Sequence, residues 1–152
     1  MTFKFLRNDG QFQQVNGGDI GISTTTTTAF LTYVTNTLAS SASVPGVGFV
    51  DGPSVSAGSS GTWFVAGSVT MITSLAGSEM ILKLWDGTTV LSGGIVYIPG
   101  VALLGSVALS GIISNPAGNL RISTSAAAGN CWMTINATGT SKDSTIYATR
   151  IG

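Results

Sequence analysis

Few residues of this 152-residue chain could carry out chemistry. Histidine is absent, which rules out a Ser-His-Asp triad, a Cys-His pair and an imidazole metal site. Asp51, Glu79, Asp86 and Asp143 lie in separate turns or strand ends. Two carboxylates that meet could hydrolyse a glycoside, but an aspartate in a turn more often accepts hydrogen bonds from its own backbone. We therefore expect no catalytic residue, no cofactor and no metal ligand, and a protein that is not an enzyme.

Two further residue types could form a site. Trp63, Trp85 and Trp132 could line a sugar site, although tryptophan more commonly packs in a core or an interface. Cys131 is the one cysteine, so no internal disulfide can form. This fits a reducing compartment or an apolar strand position, and we expect Cys131 to behave as a small core hydrophobe.

The composition indicates that the protein associates. The chain has six basic and six acidic residues, and charged residues make up 8% of it, against about a quarter in an ordinary soluble domain. Its mean hydropathy is +0.44. A net charge of zero on so weakly charged a chain promotes association. We infer that copies of the chain or a partner cover much of its surface; the alternative is a monomer kept soluble by Ser, Thr, Asn and Gly.

Charge and hydropathy also argue against two kinds of partner. A neutral chain lacks the basic stripe that neutralises phosphates, so we expect no nucleic-acid partner. The longest apolar runs, Met80 to Leu84 and Gly94 to Leu104, are short or broken by Pro99 and Gly100, so we expect no membrane helix. The first residues contain no extended apolar run of the secretory type, and we expect synthesis in a cytoplasm.

The elements that position these residues are short strands. In the stretch 61–72, Trp63, Val65, Val69 and Met71 share one parity, which is the period of a β-strand. The other parity holds Phe64, Ala66, Ser68, Thr70 and Ile72. A second strand ends at Asp86-Gly87, a hairpin signal. Turns about ten residues apart then separate the predicted strands Gly48–Asp51, Ser54–Ala57, Gly61–Ile72, Glu79–Trp85, Thr88–Ile98, Val101–Ile113, Asn119–Ser125, Cys131–Thr138 and Ser144–Ile151.

This pattern predicts an all-β fold, an antiparallel two-sheet jelly-roll sandwich over residues 46–152. The strands 62–72 and 144–151 are apolar on both faces. One face of an antiparallel sheet normally meets water, so a doubly apolar strand predicts that the outer face of one sheet is buried as well. A subunit interface would bury it.

Residues 1–45 are predicted to form an extended N-terminal arm and linker. Phe3, Phe5 and Arg7 share one parity, and Phe12 begins a second short piece, so two short strands or a hairpin fit here. In the stretch 24–38 β-branched residues favour extended structure over a short helix. The segment 39–46 has the composition of a linker.

Four phrases of the sequence resemble a known family. They are Gly61-Thr-Trp-Phe-Val-Ala-Gly-Ser-Val-Thr, Lys83-Leu-Trp-Asp-Gly-Thr-Thr-Val, Val107-Ala-Leu-Ser-Gly-Ile-Ile and Asp143-Ser-Thr-Ile-Tyr-Ala-Thr-Arg-Ile-Gly. Over residues 46–152 the chain resembles the small trimeric jelly rolls of tailed-bacteriophage structural proteins, which are similar in architecture to the tumour-necrosis-factor and complement globular heads. The resemblance implies a homotrimer in a virion.

Members of this family serve as capsid decoration (cement) proteins or as head-fibre and tail-fibre tips. The short N-terminal region without heptads favours a cement protein, a homotrimer on the major capsid protein at the outer capsid surface, made in the host bacterial cytoplasm. An extended arm can add a strand to a sheet edge, so Phe3, Phe5, Arg7 and Phe12 are candidate capsid contacts. The alternative is a fibre tip that binds a host glycan or protein. Candidate trimer-interface residues are Phe64, Tyr97, Tyr147 and Ile151.

Overall fold

The computed structural model describes residues 4–6, 12–14, 32–137, 139 and 143–152, and every regular element among them is a β-strand. The chain divides into two compact units, Met1–Phe30 and Leu31–Gly152. In the first unit β1 (Lys4–Leu6) pairs antiparallel with β2 (Phe12–Gln14), as the sequence predicts. Phe3 and Arg7 lie outside the described residues, as do the side chains of Phe5 and Phe12.

The second unit is an antiparallel two-sheet jelly-roll sandwich, which confirms the predicted fold. A four-stranded sheet has the order β5-β10-β7-β8, and a six-stranded sheet has the order β3-β12-β6-β11-β4 with β9 on the other side of β6. The strands are β3 (Tyr33–Thr37), β4 (Ala42–Val44), β5 (Val50–Val55), β6 (Thr62–Thr73), β7 (Ser78–Trp85), β8 (Val90–Ile98), β9 (Leu104–Ser114), β10 (Leu120–Ala126), β11 (Cys131–Met133) and β12 (Thr145–Arg150).

The sandwich begins earlier in the chain than residue 46. β3 pairs with β12, and β4, inside the predicted linker 39–46, pairs with β11. The β-branched residues around β3 suit a strand, and the compact unit therefore starts at Leu31.

A second difference concerns residues 48–57, predicted as two strands around an Asp51-Gly52-Pro53 turn. They contain one strand, β5, at the edge of the four-stranded sheet. An edge strand tolerates proline because one side of its backbone makes no ladder hydrogen bonds.

The core lies between the two sheets and follows the predicted alternation. Trp63, Val65, Val69 and Met71 of β6 are buried. They belong to one cluster with Met80, Leu82, Leu84, Leu120, Ile122, Met133 and Ile146. Cys131 is a free thiol and fully buried, as expected of a small core hydrophobe. With the inner faces buried in this way, the outer faces of the two sheets remain to carry function.

Candidate functional site

The outer face of the six-stranded sheet carries no charged side chain along its paired rows. One row crosses β3, β12, β6 and β9 as Tyr33, Thr149, Phe64 and Ile112. The next rows continue this composition, and together they form what we call the uncharged face: Tyr33, Thr35, Thr37, Phe64, Ala66, Ser68, Ala108, Ser110, Ile112, Thr145, Tyr147 and Thr149.

Three aromatic rings gather on the uncharged face. The ring centroid of Tyr147 lies 6.2 Å from that of Tyr33 and 6.3 Å from that of Phe64. Beside them, Ile112 is 63% exposed and Tyr33 59% exposed. These side chains expose large apolar surfaces to water, and a contiguous patch of this kind commonly marks an interaction site.

A hollow of about 590 Å³ opens on the uncharged face. It is lined by Phe64, Ala66, Gly67, Ser68, Ala108, Leu109, Ser110, Thr145 and Tyr147. The side chains of Ala66, Ser68 and Ala108 are small and form the floor of the hollow, and the rings of Phe64 and Tyr147 form its walls. The lining offers hydroxyl groups and apolar atoms without a titratable carboxylate or amine, so it suits an apolar protein surface better than a charged ligand.

The structure brings together some of the predicted interface residues. Phe64 and Tyr147 meet on the uncharged face. Ile151 follows the end of β12, where its amide donates to the Thr62 carbonyl and its side chain is 53% exposed. Tyr97 lies on β8 in the other sheet, opposite Glu79 of β7, and is 62% exposed.

The sequence analysis missed two members of the uncharged face, Tyr33 and Ile112. The doublet Ile112-Ile113 was a usable signal, because adjacent apolar residues in a strand point to opposite faces and one of them must face outward. Tyr33 was not placed on this face, because the stretch 24–38 that contains it was predicted to be extended but was assigned to the N-terminal arm and not to the sandwich.

Charged side chains, among them Asp51, Lys83 and Arg121, lie instead on the outer face of the four-stranded sheet. The Lys83 ammonium lies 3.3 Å from the Trp85 ring centroid and 4.2 Å from that of Phe49. The Arg121 guanidinium lies 4.8 Å from the Trp85 ring and 3.5 Å from the Asp51 carboxylate. Phe49, Asp51, Lys83, Trp85, Arg121 and Ser123 are called the cation–aromatic cluster below.

The hydrogen bonds of the cluster fix the Trp85 ring. Its indole nitrogen donates to Ser123 Oγ at 2.6 Å, and Ser123 Oγ donates to Asp51 Oδ1 at 2.5 Å. Asp51 thus holds both the indole, through Ser123, and the guanidinium of Arg121. The sequence could not reveal this arrangement, because its members come from β5, β7, β10 and the residue before β5, and the register between strands cannot be determined from one sequence.

Asp86 is a buried acid with a structural role. Its carboxylate accepts hydrogen bonds from the amides of Thr89 and Ala117, each at 2.7 Å, and of Thr88 at 2.9 Å. Burial raises the pKa of Asp86, but these amides together outweigh it and hold the pKa below its ordinary value. The carboxylate binds the β7–β8 turn to the loop before β10, as expected of an aspartate in a turn.

Metal-binding clusters and membrane-spanning helices are both absent from the described part of the chain. Among these residues, no group of three or more His, Cys, Asp or Glu side chains could hold a metal ion. Helices long and apolar enough to cross a bilayer are likewise not found in the ranges that the structure covers.

Comparison with known proteins identifies the fold and goes no further. No protein-family model matches the chain, and no curated protein sequence does. The Eiger TNF of S. frugiperda superposes with a TM-score of 0.55 at 11% identity, over 80% of this chain and 93% of that chain. A protein of infectious bursal disease virus, Gx strain, superposes with a TM-score of 0.48 at 14% identity, and the matched part is 80% of this chain and 33% of the virus chain.

Proposed function

We propose that the protein is a non-enzymatic component of a bacteriophage virion, a homotrimeric decoration protein that binds the major capsid protein and stabilises the head. The proposal joins the sequence resemblance to phage jelly rolls with the uncharged face. The uncharged face is the observation that carries the proposal, because burying its exposed apolar side chains against another subunit favours self-association.

The distribution of charge supports this use of the face. Among the described charged residues of the two sheets, Asp51, Glu79, Lys83 and Arg121 lie on the four-stranded sheet, and Arg150 lies at the end of β12, outside the rows of the uncharged face. The rings of Tyr33, Phe64 and Tyr147 lie on the six-stranded sheet. Burying apolar surface releases about 25 cal/mol per Å². An interface of ~1,200–2,000 Å² with an apolar centre is of ordinary size for a stable complex.

A trimer uses this face in a particular way. In a three-fold ring each contact joins two different patches, so the hollow of one subunit receives side chains from the edge of the next. The proposed interface therefore keeps Phe64, Tyr147 and Ile151 from the sequence analysis and adds Tyr33 and Ile112. We assign Tyr97 to the opposite face, which stays open to a second partner.

Substitution of Tyr147 by Asp tests the interface. A carboxylate in the apolar centre would be desolvated without a partner, so we expect monomeric or insoluble protein where the wild type has the mass of a trimer. Tyr97→Asp is the matched control, since it places the same change on the other sheet, and we expect it to keep the trimer mass. A Tyr147→Asp variant that remains a soluble trimer would remove this residue from the interface.

Capsid binding tests the second half of the proposal. Wild-type protein is mixed with purified tail-less heads that lack it, and co-sedimentation is measured. A version without residues 1–30 tests the arm and leaves β3 in place, because β3 pairs with β12. We expect the trimer to load onto heads and the truncated trimer to load poorly. Binding to host cells or glycans without binding to heads would favour the fibre-tip alternative.

A further inference from the structure

We propose that the cation–aromatic cluster is the centre of a docking surface for a protein other than this chain, and that the docked segment presents a carboxylate among apolar side chains. The inference rests on the proposed function, since it names the surface on which the trimer meets its lattice partner in addition to the arm.

The cluster has more positive than negative charge. Lys83 and Arg121 supply two cations, and Asp51 supplies one carboxylate, which pairs with Arg121. The Lys83 ammonium contacts only the rings of Trp85 and Phe49 within the part of the chain that the structure describes. Arg121 Nε is buried and has no hydrogen-bond partner there. Because that nitrogen is out of reach, an incoming carboxylate would pair with the Lys83 ammonium and with the accessible part of the Arg121 side chain, which is 26% exposed.

The surroundings of the cluster are apolar and exposed. Phe49 is 44% exposed, and the outer face also presents Val90, Ile81, Ile95 and Tyr97, all exposed. Tryptophan and arginine at the centre of an apolar patch are the usual composition of an energetically dominant site in a protein interface. Saccharide hydroxyls would gain little from isoleucine and valine, so the patch favours a protein over an acidic glycan.

A second copy of this chain is a poor occupant. Asp86 and Asp143 are buried, and Asp51 belongs to the cluster itself. Of the acids that the structure describes, this leaves Glu79, which is exposed on the same face opposite Tyr97. Among the described residues, no exposed acid other than Glu79 is left to complement the cluster, which favours a different protein as the occupant.

Head-loading assays with single variants test this inference. Lys83→Gln and Arg121→Gln each remove one cation, and Glu79→Gln is the control on the same face. We expect the two cluster variants to keep the wild-type mass and to load onto heads roughly tenfold more weakly or worse, because truncating one member of a desolvated charge pair leaves the other unpaired. Glu79→Gln should load like the wild type.

Salt provides a second readout, in which the wild-type protein is compared with the Lys83→Gln variant. The screening length falls from about 10 Å at 0.1 M salt to about 3 Å at 1 M, so wild-type loading should weaken as salt is raised across this range. The loading of Lys83→Gln should change less, because this variant has lost one of the two cations. Lys83 contacts only ring faces here, so its substitution is the milder change if Arg121→Gln disturbs the sheet.

The outcomes separate the two proposals. Wild-type protein that fails to load overturns the proposed function and this inference with it. Cluster variants that load like the wild type, with the same salt dependence, overturn the inference alone, as does an equal loss in Glu79→Gln. Displacement of bound protein by galacturonate oligomers, but not by acetate at the same carboxylate concentration, would assign the cluster to an acidic saccharide and also overturn it.

Discussion

Single side chains hold the loops of this sandwich by satisfying backbone donors. Asp86 is the clearest case, since one buried carboxylate accepts from three amides in two loops. Chemistry explains the choice of residue: an ionised carboxylate is acceptor-only and can serve several donors at once. One of the four acids considered for chemistry is thus used to fix a turn.

Replacing Asp86 by Asn should destabilise the protein. The amide oxygen can still accept from Thr88 and Thr89, but the new NH₂ group would face the Ala117 amide, which now lacks an acceptor. We expect a loss of about 1–3 kcal/mol in the free energy of unfolding, measured by denaturant titration. Glu79→Gln, on an exposed strand position, should leave the midpoint unchanged; an equally stable Asp86→Asn protein would contradict the role given to the carboxylate.

The same group makes stability depend on acid pH. The pKa of Asp86 is lower in the folded protein than its ordinary value of 3.8, so its ionised form stabilises the fold. This contribution is complete above the unfolded pKa and disappears as the pH falls through the lower folded pKa. The difference in stability between the wild type and Asp86→Asn should therefore shrink below about pH 4.

At the scale of elements, β6 organises the six-stranded sheet. β9 pairs along nearly its whole length on one side, while β12 and then β11 pair end to end on the other. The junction is closed by Ser144, whose hydroxyl donates to the Thr134 carbonyl and accepts from the Thr70 amide. Thr70 Oγ1 also donates to the Asp143 carbonyl. A buried polar network thus fills the gap between two strands that share one edge.

Gly67 is the position where β6 tolerates no side chain. A Cβ there would lie 2.5 Å from the Thr145 carbonyl oxygen and 2.9 Å from Ile122 Cδ1, so β12 and the core crowd it. Gly67→Ala should cost about 1–3 kcal/mol of stability in thermal or denaturant unfolding. Gly129→Ala is the matched control, because the nearest atom to its Cβ is 4.0 Å away. Equal stability of the two variants would show that β12 can shift.

The strands of the core were predictable because their side chains alternate. The residues predicted to share the inner face of β6 do so in the structure. The two strands predicted to be apolar on both faces, β6 and β12, are neighbours in one sheet. The place of β3 and β4 in the sandwich was missed. The stretch with β3 was predicted to be extended but was assigned to the arm, and β4 lies in a short Ser-rich segment that resembles a linker until its partner is known. The cation–aromatic cluster was missed for a related reason: Trp85 and Arg121 become neighbours only through the β7–β10 register.

At the scale of the whole molecule, the two outer faces of the sandwich differ in charge. One is uncharged and suits self-association, whereas the other holds four charged residues, Asp51, Glu79, Lys83 and Arg121. The lack of charge on the uncharged face adds specificity, because this face cannot pair with the charged one without leaving charges unpaired.

This division predicts how assembly responds to salt. Because no ion pair is expected across the uncharged face, the trimer mass in solution should be the same at about 0.05 M and 1 M salt. Analytical ultracentrifugation at both concentrations measures this, and the salt-sensitive loading of heads serves as the contrast. Dissociation of the trimer at high salt would show that charges hold the subunits together and that the uncharged face is not the contact.

The position of β12 also governs when the uncharged face forms. β12 is the last strand in chain order, yet it lies between β3 and β6, and the hydrogen bond from Thr35 Oγ1 to the Ile146 carbonyl spans 111 positions. Pairings this distant form slowly, after local hairpins. Until β12 inserts, Tyr147 cannot stand beside Phe64 and the hollow does not exist. Under the proposed trimer, a chain whose β12 has not yet paired lacks this contact surface, so it presents no complete interface to another subunit.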